Sequence, residues 1–157
     1  MQQQTQLEPM DIEISVPKKG IILKEKSVIA VRREDGEVLS VGNKAVQAPY
    51  DEKIVKRHTP LHQGNVVDYD NAEKMMTTLI GKAAGTAFSD VRVRMGLLVP
   101  SNLEEQEISL YADMLKKAGA HEVLVLSQDT PLDELEREEE KCKVIVTLKN
   151  PYATVEQ

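Results

Sequence analysis

Few side chains in these 157 residues stand at spacings that suggest chemistry. His58 and His62 are four apart, which on a helix would put two imidazoles on one face as metal ligands require. Pro60 lies between them and argues against a regular helix, and no third ligand is adjacent, so a metal is not expected. Lys53, Lys56, Arg57 and His58 gather in one short stretch, and a phosphate-binding patch there is conceivable. With no glycine or aromatic residue among them, a solvated basic loop is the simpler reading. The single Cys142 excludes an internal disulfide and fits a reducing cytosol. It has no neighbour suited to nucleophilic chemistry and reads as a small half-buried residue or an inert thiol.

The remaining candidate is positional. Residues 91–127 contain an apolar run (Met95 to Val99) ended by Pro100, a segment with helical spacing, a stop at Gly119 and a second apolar run (Val123 to Leu126). That order predicts a β-α-β unit with parallel strands, and the loop near Pro100 and Asn102 is where such a unit can hold a ligand. Both runs are apolar on successive residues, as in strands covered on both faces. In the helix, Ser101 and Asn102 are each followed three residues later by Glu104 and Glu105, so either can open a capping box. Ile108, Tyr111, Met114, Leu115 and Ala118 form its apolar stripe, and Lys116 and Lys117 suit its carbonyl end.

The length suits one ordinary domain able to bury a core without staples. Net charge is −6 and aromatic residues make up 3%, with no tryptophan, which disfavours nucleic-acid binding and stacking recognition. No run approaches the ~18 apolar residues of a membrane span. MQQQTQLEPM lacks the basic start and apolar centre of a signal peptide and is expected to be a disordered tail over residues 1–10.

Residues 11–16 alternate and suit a strand with one wet face, and residues 21–23, 27–32 and 37–41 continue as an antiparallel meander around the Asp35-Gly36 turn. A short helix over residues 43–47 ends before Pro49, and residues 50–69 read as a polar loop. Residues 70–84 predict a second helix, capped by Asp70 with Glu73, faced by Ala72, Met75, Met76, Leu79, Ile80 and Ala83, and ended by Gly85. Gly81 and Gly85 have a G-x-x-x-G spacing that carries little weight outside a membrane. Residues 131–143 are an acidic helical segment with Leu132 and Leu135 to bury, and KVIVTL (residues 143–148) is a β-branched run that belongs inside a sheet.

In order and spacing, residues 19–31 (KGIILKEKSVIAV), 41–45 (VGNKA), 59–76 (TPLHQGNVVDYDNAEKMM) and 98–126 (LVPS, then a glutamate-rich helix and KKAGAHEVLVL) resemble the bacterial actin homologue MreB, the rod-shape-determining family. The resemblance spans most of residues 11–128. It implies an α/β fold of the actin-like ATPase (ribonuclease H-like) kind: a mixed five-stranded sheet with flanking helices over residues 11–150. A small inserted subdomain is expected at about residues 24–66, the main sheet's helices and parallel strands over 67–150, and a tail over 151–157.

The departures from the family shape the functional expectation. Its Asp-Leu-Gly-Thr phosphate loop follows its first strand, whereas this chain begins at what resembles the second strand. The family's second half, with its Asp-Ile-Gly-Gly-Gly-Thr loop, has no counterpart, and Ser127-Gln128-Asp129-Thr130-Pro131 stands where the family has Glu-Glu-Pro. Glu107 falls at the position of the family's water-positioning glutamate. Without clustered loop amides for phosphates it is read as a vestige, ordinary as an exposed helix carboxylate. The resemblance therefore implies no enzyme and no cofactor, but a cytoplasmic interaction or scaffolding module whose partner is an MreB-like filament or a second copy, without nucleic acid or membrane insertion. The alternative is an actin-like protein that binds ATP weakly or when a partner chain completes the site. Losing a central strand would leave two bare edges, so residues 144–148 are expected to insert beside residues 95–99 and complete the sheet.

Overall fold

The computed structural model describes residues 8–87 and 93–150. Strands β1 (Asp11–Val16), β2 (Gly20–Lys26), β8 (Val93–Val99), β9 (Ala120–Ser127) and β10 (Val144–Lys149) form a five-stranded sheet in the order β2-β1-β10-β8-β9. A second sheet joins β3 (Ile29–Arg32), β4 (Val38–Val41) and β5 (Val55–His58) in the order β4-β3-β5, and β6 (Leu61–His62) pairs with β7 (Asn65–Val66). The helices are α1 (Asn43–Gln47), α2 (Tyr69–Ala87), α3 (Glu105–Lys117) and α4 (Leu132–Glu139).

The last strand does take the central place. β10 runs parallel to β8, with Val144 opposite Met95 and Val146 opposite Leu97, and antiparallel to β1, with Asp11 opposite Lys149. Its run of Val144, Ile145, Val146, Thr147 and Leu148 is buried throughout, as a strand covered on both faces and paired on both edges must be. One face of the sheet carries Ile12, Ile14, Met95, Leu97, Val146 and Leu148 into a single core with Met75, Met76 and Leu79 of α2 and Tyr111, Met114 and Leu115 of α3. Burying side chains of this size is worth about 1.5–3 kcal/mol each before entropy is charged against it. The crossover β8-α3-β9 moves outward along the sheet and β9-α4-β10 moves back. Right-handed connections therefore set α3 and α4 on opposite faces. On the opposite face Gly96 leaves room for its neighbours, since a Cβ there would lie 2.6 Å from Ile145 Cδ1 and 3.2 Å from Cys142 Sγ.

Several expectations are corrected. The predicted meander splits: β1 and β2 belong to the main sheet, while β3 and β4 turn away into the second one. The polar stretch 50–69 contains β5, β6 and β7, because isolated apolar residues such as Val55 and Leu61 suffice to bury short strands. Met10, placed in the tail by its polar neighbours, is fully buried, with its N–H donated to Ser27 Oγ at 2.7 Å. Asp68, not Asp70, caps α2, accepting from the Asn71 N–H at 3.3 Å, and α2 runs through Gly85 to Ala87. Neither Ser101 nor Asn102 caps α3, which starts after Glu104 with no side-chain cap. β9 is an outer strand with Val125 42% exposed, so its apolar run is not doubly covered. Leu132 is 71% exposed, and α4 buries no residue. Gly81 has nothing near its Cβ position, and its spacing to Gly85 marks no close helix approach at that residue. The tail expected over residues 151–157, and most of that over 1–10, lie outside the described residues.

Candidate functional site

β8, β9 and β10 are parallel, so their carboxyl ends open on the same side of the molecule. There Pro100 and Asn102 follow β8, Asn150 follows β10, and the β6–β7 hairpin leans in with Gln63 and Asn65. With Glu104 and Glu107 at the start of α3, these residues line a cleft of about 550 Å³. It is the strand-end position foreseen for a ligand. Its polar wall is made of side-chain amides and two carboxylates, and among the described residues no lysine or arginine lines it.

Glu107 is half-buried and engaged, not the exposed carboxylate expected. Its Oε1 accepts the Val66 backbone N–H at 2.8 Å. One turn further along α3, the Tyr111 hydroxyl donates to the Gly64 carbonyl at 2.7 Å. Burial, and then the negative charge of Glu107, hold the Tyr111 phenol well above its ordinary range, so it stays a neutral donor. Gly64 in turn offers its N–H to Met10 Sδ at 3.1 Å, and its φ of 92° is the left-handed turn conformation that glycine tolerates. Glu107 and Tyr111 thus clamp the hairpin that forms one wall of the cleft. The signal available in sequence was their four-residue spacing on one helix face; the hairpin that receives them gave none.

The other candidates separate. His58 lies in β5 with Nδ1 3.8 Å from Asp68 Oδ2, while His62 lies in β6 with a buried Nδ1 that has no hydrogen-bond partner. Among the described residues no group of three or more His, Cys, Asp or Glu is placed to hold a metal. Burial, followed by the nearby positive charges of Lys56 and Arg33, lowers the His58 pKa, against the opposing pull of Asp68. Arg57 turns to the opposite side of β5, where Nε donates to the Ala45 carbonyl at 2.7 Å, Nη2 donates to the Ala48 carbonyl, and the guanidinium stacks 5.4 Å from the Tyr50 ring centroid. Cys142 is buried, and burial pushes its thiol up to about 11, which removes it as a nucleophile near neutrality. No helix among the described residues is long and apolar enough to cross a membrane.

Comparison with known proteins gives this arrangement a family. Residues 6–131 match the MreB/Mbl protein family. The cell shape-determining protein Mbl of Bacillus cereus is 28% identical over 119 residues, covering 73% of this chain and 34% of that protein. Mbl of Bacillus subtilis is 28% identical over 117 residues, covering 72% and 34%. The chain thus spans about a third of the length of these curated relatives. Among solved structures, MreB5 of Spiroplasma citri bound to AMPPNP superposes with a TM-score of 0.62 at 18% identity, over 80% of this chain and 39% of that one. Its ADP-bound form gives 0.59 at 19% identity, over 74% and 38%. With a mixed five-stranded sheet flanked by helices in the actin-like arrangement, and with residues 6–131 of its 157 matched by the family, this chain belongs to the MreB/Mbl protein family.

Proposed function

We propose that the chain works as a non-catalytic interaction module of the cell-shape cytoskeleton, binding filament-forming MreB-like relatives or further copies of itself. The observation that carries this reading is the strand-end cleft. A nucleoside triphosphate needs lysine, arginine or clustered backbone amides around its phosphates. Among the described residues the lining offers two carboxylates and no cation, and Glu107 already holds the Val66 amide. What is left is a rigid actin-like surface whose central strand comes from the chain's own residues 144–149. Co-sedimentation with filaments of an MreB relative tests the proposal: the chain should pellet with them or change their length, and failure to do either counts against it.

A second reading is supported by the roughly 550 Å³ of the cleft and by the nucleotides in the two MreB5 structures. In it the chain binds ATP once a partner chain supplies the missing positive charge. Titration of labelled ATP with magnesium, with and without an MreB relative, separates the two. Saturable binding at micromolar strength favours the second reading.

A further inference from the structure

The strand alternation of β5 divides the basic patch seen in sequence. Arg57 is spent on the Ala45 and Ala48 carbonyls, whereas Lys56 and His58, its neighbours on either side, face the other way. There they meet Arg33 from the end of β3 and Lys74 from the second turn of α2, around a cleft of about 420 Å³. These cations come from three elements distant in sequence, in a chain whose net charge is −6. Arg33 is positioned by its Nε, which donates to the Glu52 carbonyl at 2.8 Å. Among the described residues, Arg33, Lys56 and Lys74 enter no ion pair, whereas Arg32 and Asp68 in the same lining are committed. Arg32 is held by Asp35 at 2.9 Å and Glu37 at 2.8 Å, and Asp68 caps α2 and faces His58. Asp70 also lines the cleft and bears the opposite charge to its three cations.

We propose that this cleft between β3, β5 and α2 binds a small phosphate-bearing molecule, with Lys56, Lys74 and Arg33 taking the phosphate oxygens and His58 at its edge. The site is separate from the strand-end cleft and does not depend on the scaffolding role. Ammonium and guanidinium donors from several sides fit the multiple acceptor oxygens of a phosphate or diphosphate. Asp70 opposes the ligand and sets a limit on affinity.

The test is a titration of inorganic pyrophosphate into the full chain at constant ionic strength, following the imidazole resonances of the three histidines by NMR, with sodium chloride as control. A saturable shift of His58, together with an upward move of its titration midpoint, is the expected result, because a bound anion favours the imidazolium. Lys56 and Lys74 are exposed, so the K56Q/K74Q double variant should fold, and it should bind about tenfold or more weakly. D70N should bind more tightly. The proposal is overturned if the shift does not saturate, if chloride reproduces it, if K56Q/K74Q binds as the wild type does, or if the resonance that saturates is that of His62 in β6 and not that of His58.

Discussion

The two faces of the five-stranded sheet are made by the same strands and are built on different principles. The face under α2 and α3 is apolar without interruption, from Ile12 and Ile14 through Val146 and Leu97 to Tyr111 and Met114. The opposite face carries charged pairs toward both edges and a small apolar contact between them. On β1, Asp11 lies 2.7 Å from Lys26, and the buried Glu13 lies 3.4 Å from Lys149 and 3.9 Å from Lys24. Further across, Arg94 meets Glu122 at 2.9 Å, with Gly96, Ile145, Leu126 and Cys142 forming a small apolar contact between the charged zones. The apolar face supplies stability, since it removes the most surface from water. The charged face supplies register: Asp11 stands opposite Lys26 on one side and Lys149 on the other, so acid meets base across both edges of β1.

This division can be broken at graded cost. Leu97→Ala, on the helix-covered face, should lose about 2–5 kcal/mol in urea unfolding, because a fully buried leucine leaves a cavity there. A loss under about 1 kcal/mol would mean that this face is not the main source of stability. Gly96→Ala, on the other face, should cost about 1–3 kcal/mol, since Ile145 and Cys142 must both give way. An unchanged midpoint would show that the strands there have room to spare. Tyr111→Phe should cost about 1–2 kcal/mol by stranding the Gly64 carbonyl, and hydrogen exchange at residues 61–66 should quicken with it. Exchange unaltered in that hairpin would remove the clamp from the description of the cleft. Smallest of all, Glu122→Ala should stay within about 0.5 kcal/mol of wild type, because its pair with Arg94 is solvent-exposed.

What could be read from the residues was local or followed from composition. The β-α-β unit and both long helices declared themselves through apolar spacing, KVIVTL read as a buried strand from its β-branched run, and its central place was expected from the family resemblance, which left a central strand unfilled. Less legible were short features whose stabilising partner is remote. β5 to β7 carry too few apolar residues to signal strands, and Met10 is buried by contacts with Ser27 and Gly64 that lie far along the chain. The candidate site fared similarly. Glu107 was singled out through the family resemblance, but its partner Val66 is 41 residues away and the supporting Tyr111–Gly64 bond spans 47.

By itself the sequence determined the long helices, the β-α-β unit and with them the α/β class, because these depend on periodicity, while the order and spacing of its segments carried the resemblance to the MreB family. Only the tertiary structure decided which cations share a cleft and what Glu107 holds. Strand alternation sent Arg57 one way and Lys56 with His58 the other, and the end of β3 and the second turn of α2 brought Arg33 and Lys74 to meet them. Such meetings depend on where the backbone returns after tens of residues, and no local pattern of side chains encodes that distance.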